Sequence, residues 1–520
     1  MRITNNMMLN NSMNNINGNK INVNNMNNQM SSQKKIQRPS ENPVIAIRSL
    51  RLRSDLSEID QYYENNIPDA ESWLDVTGTA IKNMNSILTD IRELCIRGAQ
   101  DSLTADDRNT ILTQLEKLRD QVYAEGNAEY AGRTVFTGYH TDKKLTFTEN
   151  EKNTSYDITQ SFGFGNIEEH RYYSGDVKVP ATKDEVQKNP IQDPKEATFD
   201  RIRFGYEGID GIKDKNGNLL DANGANGAIS YTKADGKTAD VNVTVYDTFE
   251  DWAKANNGEY KIPEQNGQQN AVFIKESGEM ILGKNASDEM RKGKATLNVD
   301  YTKTGFDKGE LRPEYYYNCT NKTDAQNPVQ YVKYDKNGKE IEQNIDYIVS
   351  AGQSLTVNTA ASDVFDSSLY RDIDEMIEAV RGAQEANDKV TKIKDMMKQE
   401  QYSDDASQKK LAEWLKAAEK ECDYADDNMQ KLYNSYIGHC DKYLQKVNLA
   451  NTDLGSKGQS LELTKSRMSS QQTTVETLTS RNENRDLSDI IIDYTAAYGA
   501  YEASLQAAAK VNQNTLLNFI

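Results

Sequence analysis

Histidine and cysteine are scarce in this 520-residue chain: three histidines (His140, His170, His439) and four cysteines (Cys95, Cys319, Cys422, Cys440). So few imidazoles leave little for histidine-based catalysis or zinc, and no cysteines form a CxxC pair, so neither a metal site nor a disulfide framework is indicated. No apolar run approaches the roughly 18 residues expected of a membrane span. At the start, Met7-Met8-Leu9 gives way at once to Asn10-Asn11-Ser12, without the apolar stretch of a cleaved leader. The expectation is a cytoplasmic chain, or one that leaves the cell by a route needing no cleaved signal. Positive charge is also in deficit: 62 basic against 80 acidic residues give −18 and a pI near 4.9. That balance argues against duplex nucleic acid, whose phosphates call for a basic stripe. Proline is absent after Pro328, so the final ~190 residues are free of the strongest helix breaker.

What is present begins with asparagine, which fills thirteen of the first thirty positions. Within that composition Leu9, Ile16, Val23 and Met30 recur at seven-residue intervals. Thirteen asparagines cost a helix on the order of 8 kcal/mol relative to alanine. Full burial of Leu9, Met13, Ile16, Val23, Met26 and Met30 returns roughly 9–18 kcal/mol, before backbone ordering is offset. The balance favours a helix only where burial is nearly complete. The expectation is a segment disordered in the monomer and helical in an assembly.

From Ile45 the spacing returns in another phase: Ile45, Leu52, Ile59, Asn66, Trp73, Ala80, Ile87 and Leu94, with Leu56, Tyr63, Ala70, Thr77, Met84 and Ile91 flanking. The register changes at "QRPSENP" (37–43), where Pro39, Ser40 and Pro43 mark an extended elbow. Pro68 interrupts the second seam without shifting it, which predicts a kink or short break near Asn65-Asn66. "TADD" predicts a further helix, capped by Thr104 with Asp107 completing a capping box.

From about 145 to 360 the turn signals "DKNGN", "NGANG" and "DKNGK" alternate with strand-like runs such as "VNVTVYDT" (241–248). Helical patterning resumes near Asp363, and Tyr433, Cys440, Val447, Leu454, Leu461, Met468 and Val475 again repeat every seven residues. "RNENRD" (481–486) breaks that seam. Leu487, Ile491, Tyr494, Tyr498, Tyr501, Leu505 and Ala508 restart it toward Phe519.

The fold class expected is α+β: a long antiparallel coiled-coil rod of N- and C-terminal helices, with a β-rich central domain facing outward. Five regions follow: 1–42 as an N-terminal assembly helix, 43–145 as half the rod and 146–362 as the β-rich insert. Residues 363–482 form the other half of the rod, and 483–520 a C-terminal assembly helix, disordered in the monomer like the first. The expected assembly interface is Leu9, Ile16, Val23, Met30, Leu487, Ile491, Tyr494, Tyr498, Tyr501 and Leu505.

These stretches resemble the flagellin-like axial proteins. "QMSSQKKIQRPSENPVIAIRSL" is similar to the family's Ser-Ser turn, basic residues and Pro-Ser-acidic-x-Pro, matched here by Ser31, Ser32, Lys34, Lys35, Ile36, Pro39, Ser40, Glu41 and Pro43. The family commonly has glycine where Gln33 stands. "LTADDRNTILTQLEKLRDQVYAEGNAEYAGRTVFTGYHTD" resembles the next helix and hairpin. "NLANTDLGSKGQSLELTKSRM", with Gly455 and Leu461, resembles the C-terminal Gly-containing helix. The start "MRITNNMM" and the end "NTLLNFI" look more like a junction subunit of that family than a filament flagellin. The resemblance covers roughly 1–150 and 430–520 and leaves the β-rich middle and the stretch 385–430 uncovered. It implies export through the flagellar type III apparatus, with a chaperone, and an extracellular place in the flagellum. It also implies a helical ring of copies of this chain, between hook-associated protein 1 and flagellin, with no membrane insertion.

Chemistry elsewhere is weak. His439-Cys440 suggests a metal corner, but Cys440 falls on the seam as a small buried residue. "FGFG" (162–165) lacks the context of a phosphate binder. Neither a nucleophile–base pair nor a cofactor is indicated. The competing readings are a filament flagellin, a non-flagellar coiled-coil adhesin and an enzyme housed in the insert.

Overall fold

The structure, a computed structural model, describes residues 5–100, 103–263, 268–336 and 338–513. Phe519 and the end motif "NTLLNFI" lie outside the described residues. The protein is mixed helix and sheet with long helices toward both ends. It divides into two compact units. Unit 1 comprises Met1–Glu71, Asp346–Leu355 and Lys457–Ile520; unit 2 comprises Ser72–Ile345 and Thr356–Ser456.

The helices begin with α1 (Asn5–Ser32), α2 (Pro43–Asp60), α3 (Ile67–Gly98) and α4 (Ala105–Gly126). Short helices follow in the middle: α5 (Lys183–Lys188), α6 (Phe249–Ala255), α7 (Lys284–Lys292) and α8 (Ala361–Val364). The chain closes with α9 (Leu369–Met397), α10 (Asp405–Glu483) and α11 (Leu487–Gln513). Helix α4 carries the capping box expected at Thr104: its Oγ1 accepts from the Asp107 N–H at 3.2 Å, while the Asp107 carboxylate accepts from the Thr104 N–H at 3.0 Å.

At Pro68 the sequence suggests a kink or break, and the outcome is milder. Gln61–Asn66 forms a π-helical turn between α2 and α3, closed by the Ile67 N–H donating to the Tyr62 carbonyl. A proline lacks the N–H of an α-turn and crowds the carbonyl four residues earlier. The wider π turn relieves that clash while the helix continues.

Unit 2 holds the sheet. After a hairpin of β1 (Glu129–Tyr130) and β2 (Arg133–Thr134) come β3 (Glu151–Gly163), β4 (Glu168–Ser174), β5 (Lys195–Arg203), β6 (Gly211–Lys213) and β7 (Leu219–Leu220). Then follow β8 (Asn226–Thr232), β9 (Thr238–Tyr246), β10 (Asn270–Ile274), β11 (Glu279–Leu282), β12 (Thr296–Phe306), β13 (Asn318–Asn321) and β14 (Val329–Tyr331). Their order is β14-β13-β3-β12-β8-β9-β10-β11-β5-β4, with β6 and β7 branching from β12. The β9–β10 pair is parallel, and its crossover contains α6. Alternation explains the strands with one solvated face: Val241, Val243 and Val245 of β9 point inward, as do Leu297, Val299 and Tyr301 of β12. Strands β10 and β11 are apolar on both faces because Trp252 of α6, with Tyr172, covers one side and Phe204 meets Phe273 on the other.

The 385–430 stretch, left open by the sequence, is a helical hairpin of α9 and the start of α10. Val390, Ile393, Leu411, Trp414 and Ala418 pack with Val177 and Val186 from the loop after β4 and from α5. The indole N–H of Trp414 donates to the Val186 carbonyl at 3.3 Å. Between that hairpin and the sheet lies a buried charge network. Arg201 of β5 pairs with Glu279 at 2.9 Å, Glu168 at 3.1 Å and Glu375 of α9 at 2.8 Å. Arg203 joins Asp372, Glu375 and the Tyr436 hydroxyl.

In unit 2 the C-terminal part of α3 runs antiparallel to α10. Asn85 donates to Asn448 at 2.8 Å, and Arg92 pairs with Asp441 at 2.7 Å. Gly98 permits the closest approach, since a Cβ there would lie 2.3 Å from a ring carbon of Tyr433. In unit 1, β15 (Asp346–Ser350) and β16 (Gln353–Thr356) form a hairpin, and Arg467 of α10 donates to the Ser350 hydroxyl at 3.1 Å.

Candidate assembly interface

The candidate interface lies in unit 1 and starts from the two breaks in the heptad pattern. "QRPSENP" and "RNENRD" meet: Lys35 N–H donates to the Glu483 carbonyl at 2.7 Å and Arg485 N–H to the Gln33 carbonyl at 2.9 Å, bridging Lys34 to Asn484. Each elbow residue has a local task. Pro39 occupies the second position of a turn whose Glu41 N–H donates to the Arg38 carbonyl at 3.0 Å, where its fixed φ suits the geometry. Ser40 follows it in the same turn, exposed. Pro43 opens α2 at a position where its missing N–H costs nothing, behind the Asn42 side chain that caps Val44 and Ile45. Gln33 has φ +54, the left-handed conformation that glycine adopts without strain.

Glu483 anchors this junction. Its buried carboxylate accepts both Nε and Nη2 of Arg53, each at 2.7 Å, together with Lys34 Nζ at 3.0 Å and the Ser49 hydroxyl. The hydrogen bonds from Arg53, helped by Ser49 and Lys34, hold its pKa down to about 2 against the opposing effect of burial. Sequence reasoning missed Glu483; the signal was the acidic residue inside "RNENRD", opposite a basic stretch.

Beyond the elbow, α1 lies antiparallel to α11. Asn19 donates to the Ala500 carbonyl at 3.3 Å and Arg485 to the Gln29 side chain at 3.0 Å. The expected residues on α1 share one face: Leu9, Ile16, Val23 and Met30 are half-buried, alternating with Ser12, Asn19 and Met26 in the other seam position. Among the described residues of α1 none is fully buried.

On α11 the expected residues separate into two stripes. Tyr494 and Tyr501 are half-buried and lie in line with fully buried Ile490, and with Ala497, Ser504 and Ala508. Ile491, Tyr498 and Leu505 point away, 47%, 45% and 42% exposed, and keep strict seven-residue spacing. Leu487 is likewise exposed. A single heptad stripe satisfies one neighbouring helix; the second stripe on α11 is an apolar face with no helix of this chain against it among the described residues. A shallow apolar groove of about 500 Å³ lies further along unit 1, walled by Ile59, Tyr62, Met468 and Val475, with Asp55 and Arg467 among its polar residues.

Among the described residues no group of histidine, cysteine or acidic side chains is arranged to hold a metal ion. Likewise, none of the described helices is long and apolar enough to cross a membrane.

Comparison with known proteins gives the class first. Residues 3–141 match the family model of the bacterial flagellin N-terminal helical region. That stretch contains α1, the elbow, α2, α3, α4 and the β1–β2 hairpin. The particular relatives are narrower. The chain is similar to flagellar hook-associated protein 3 of Salmonella typhimurium, 25% identical over 143 residues, 27% of this chain and 45% of that protein. It is also similar to the protein of the same name from Escherichia coli, 28% identical over 149 residues, 27% of this chain and 45% of that protein. The chain thus spans under half the length of the curated relatives it matches. Among solved structures, FlgL of Xanthomonas campestris aligns with a TM-score of 0.31 and 11% identity, covering 83% of this chain and 99% of that one.

Proposed function

We propose that this chain is a structural subunit of the bacterial flagellum, forming the junction between hook and filament. Its terminal helices pack against those of neighbouring copies, and the β-rich insert, residues 146–362, faces outward. The observation that carries the reading is the match of residues 3–141 to the flagellin N-terminal helical region, beside the similarity over 143 and 149 residues to two proteins named flagellar hook-associated protein 3. The second stripe on α11 supports the mode of assembly. Ile491, Tyr498 and Leu505 repeat at the spacing a further helix needs, and another copy of the same chain supplies that helix at the high local concentration of a ring.

On this reading the ring sits between hook-associated protein 1 and flagellin, reached by export without a cleaved signal peptide and with a flagellar export chaperone. The two terminal segments gain their full burial only in the ring, which is why a polar, asparagine-rich helix is suited to the task. Deletion of the gene in its own bacterium tests this. Hooks that end bare are expected; filaments of normal length on the mutant would overturn the junction role.

A further inference from the structure

A large cavity in unit 2 lies outside the assembly surface just described. It measures about 1130 Å³ and forms where the solvated faces of β3 and β12 meet the residues before β13 and the turn into α9. Strand pairing sets part of its lining. Asn298 of β12 stands opposite Ser161 of β3, and Asp300 opposite Thr159, whose hydroxyl donates to the Asp300 carboxylate at 2.6 Å. These four side chains are exposed because Leu297, Val299 and Tyr301, alternating with Asn298 and Asp300, fill the core. Aromatic rings supply another part: Tyr316 and Tyr317 are buried, and Tyr334 is half-buried. Asn318 fixes Tyr334, its side-chain carbonyl accepting the Lys333 and Tyr334 N–H groups at 2.7 and 2.8 Å. The Asn318 amide donates in turn to the Tyr334 carbonyl at 3.1 Å.

The lining points to an uncharged, hydroxyl-rich occupant. Basic and acidic side chains border the cavity in nearly equal number, four against five, and the best-buried of them answer one another. Lys446 pairs with Asp366 at 2.9 Å, and Arg203 is held by Asp372 and Glu375. A phosphate, a carboxylate or an amine finds no surplus of opposite charge there. Hydrogen-bonding capacity, by contrast, is left over. The Tyr316 hydroxyl and Arg371 Nη1 are buried without a hydrogen-bond partner among the described residues, in residues only 5% and 8% exposed. Such groups are costly to bury unless an occupant of the cavity satisfies them.

We propose that this cavity binds a short neutral oligosaccharide. The hydroxyls of a sugar both donate and accept hydrogen bonds, as do the side chains of Ser161, Asn298 and Tyr316. Its apolar C–H faces pack on an aromatic ring, and half-buried Tyr334 offers one. A wholly apolar ligand would leave the same polar groups unpaired. The volume, at the upper end for small-molecule sites, suits several linked sugar units better than one. Unit 2 holds this cavity whether or not the chain forms the junction, so sugar binding and the junction role succeed or fail separately.

The test is isothermal titration calorimetry of the full-length chain with maltotriose, cellotriose, mannotriose and triacetylchitotriose, with trigalacturonate as the charged comparator. A parallel pull-down uses the matching polymers, starch, cellulose, mannan and chitin. Binding of at least one neutral trisaccharide is expected. Retention on its polymer as well identifies a surface glycan as the source, and binding of the trisaccharide alone a free oligosaccharide; both support the proposal. Asn298→Trp fills the cavity from the exposed side of β12, and Tyr334→Ala removes the ring. Each should weaken binding by roughly tenfold or more. Asn298 is exposed, so its variant should keep the parent's melting temperature and carries the test even where Tyr334→Ala lowers it. No binding of any neutral probe would overturn the proposal, as would preference for trigalacturonate or binding that Asn298→Trp leaves unchanged.

Discussion

Arg53 and Glu483, 430 residues apart in sequence, meet as a bidentate pair, Nε and Nη2 each 2.7 Å from a carboxylate oxygen. The pair ties the middle of α2 to the last turn of α10 across the elbow. Because Glu483 is buried while Arg53 and Lys34 are largely exposed, removing the carboxylate costs the junction a charged hydrogen bond rather than a buried ion pair. Glu483→Gln should therefore loosen the elbow by on the order of 1 kcal/mol, seen as faster amide exchange at 33–49, with unit 2 unchanged. The pH dependence has the same origin. The folded carboxyl titrates near 2 rather than 4.5, so its contribution is complete above about pH 4.5 and is lost as the pH falls toward 2. Exchange that is insensitive to pH across that window would contradict this.

Gln33 supplies a prediction of opposite sign. A non-glycine residue at φ +54 carries roughly 1 kcal/mol of steric cost, and its side chain does nothing at the elbow that the Gln33 backbone does not already do. Gln33→Gly should slow exchange at the Lys35 and Arg485 amides. Faster exchange there would mean the added backbone freedom of the unfolded chain outweighs the relieved strain.

The apolar stripe on α11 separates folding from assembly. Leu505→Asp should leave the circular dichroism of the monomer unchanged, because Leu505 is exposed in the single chain, yet block incorporation into flagella. Ile16→Asp, on the half-buried face of α1, should weaken the α1–α11 pair as well as assembly. Normal incorporation of Leu505→Asp would remove the stripe from the interface.

Much of unit 1 was legible in the sequence because heptad spacing and proline report backbone geometry directly. The turn at 38–41 and the shared face of Leu9, Ile16, Val23 and Met30 fall where those signals put them, and in unit 2 the capping box at Thr104 follows from its Thr-x-x-Asp spacing. The stripe on α11 was not so legible. Leu487, Ile491, Tyr494, Tyr498, Tyr501 and Leu505 read as one seam, yet Tyr494 and Tyr501 face α1 while the others do not. Periodicity cannot assign two adjacent apolar stripes to two different neighbours. The fully buried Ile490 was hidden among Ile490, Ile491 and Ile492. In unit 2 the turn signals located strands but not their order, since β3 pairs with β12 and β13 more than a hundred residues away. Nor did the sequence show that Arg201 and Arg203, on alternate positions of β5, would both reach α9.

That buried network predicts how unit 2 fails in acid. Arg201→Ala would strand Glu279 without its cation and leave Glu375 with Arg203 alone, and should cost about 3–5 kcal/mol, read as a lowered melting temperature. Burial and the neighbouring Arg201 guanidinium push His170 down to about 3. Between about pH 6.5 and 3 the unfolded chain therefore binds a proton that the folded one does not, and stability falls as the pH falls. Burial opposes ionisation of Asp372, but Arg203 and His439 outweigh it and hold its carboxyl below the usual range. Its contribution is lost at still lower pH, in the same direction. A melting temperature that rose from pH 6.5 to 4 would contradict this.

The central claim is a place, and it is measured most directly by immunogold electron microscopy of intact cells, with antibody raised against residues 200–340. The account predicts a small cluster of gold at the base of each filament, where the hook ends. Label along the whole filament would contradict it and make the chain a flagellin; label scattered over the cell body would contradict both and leave an adhesin.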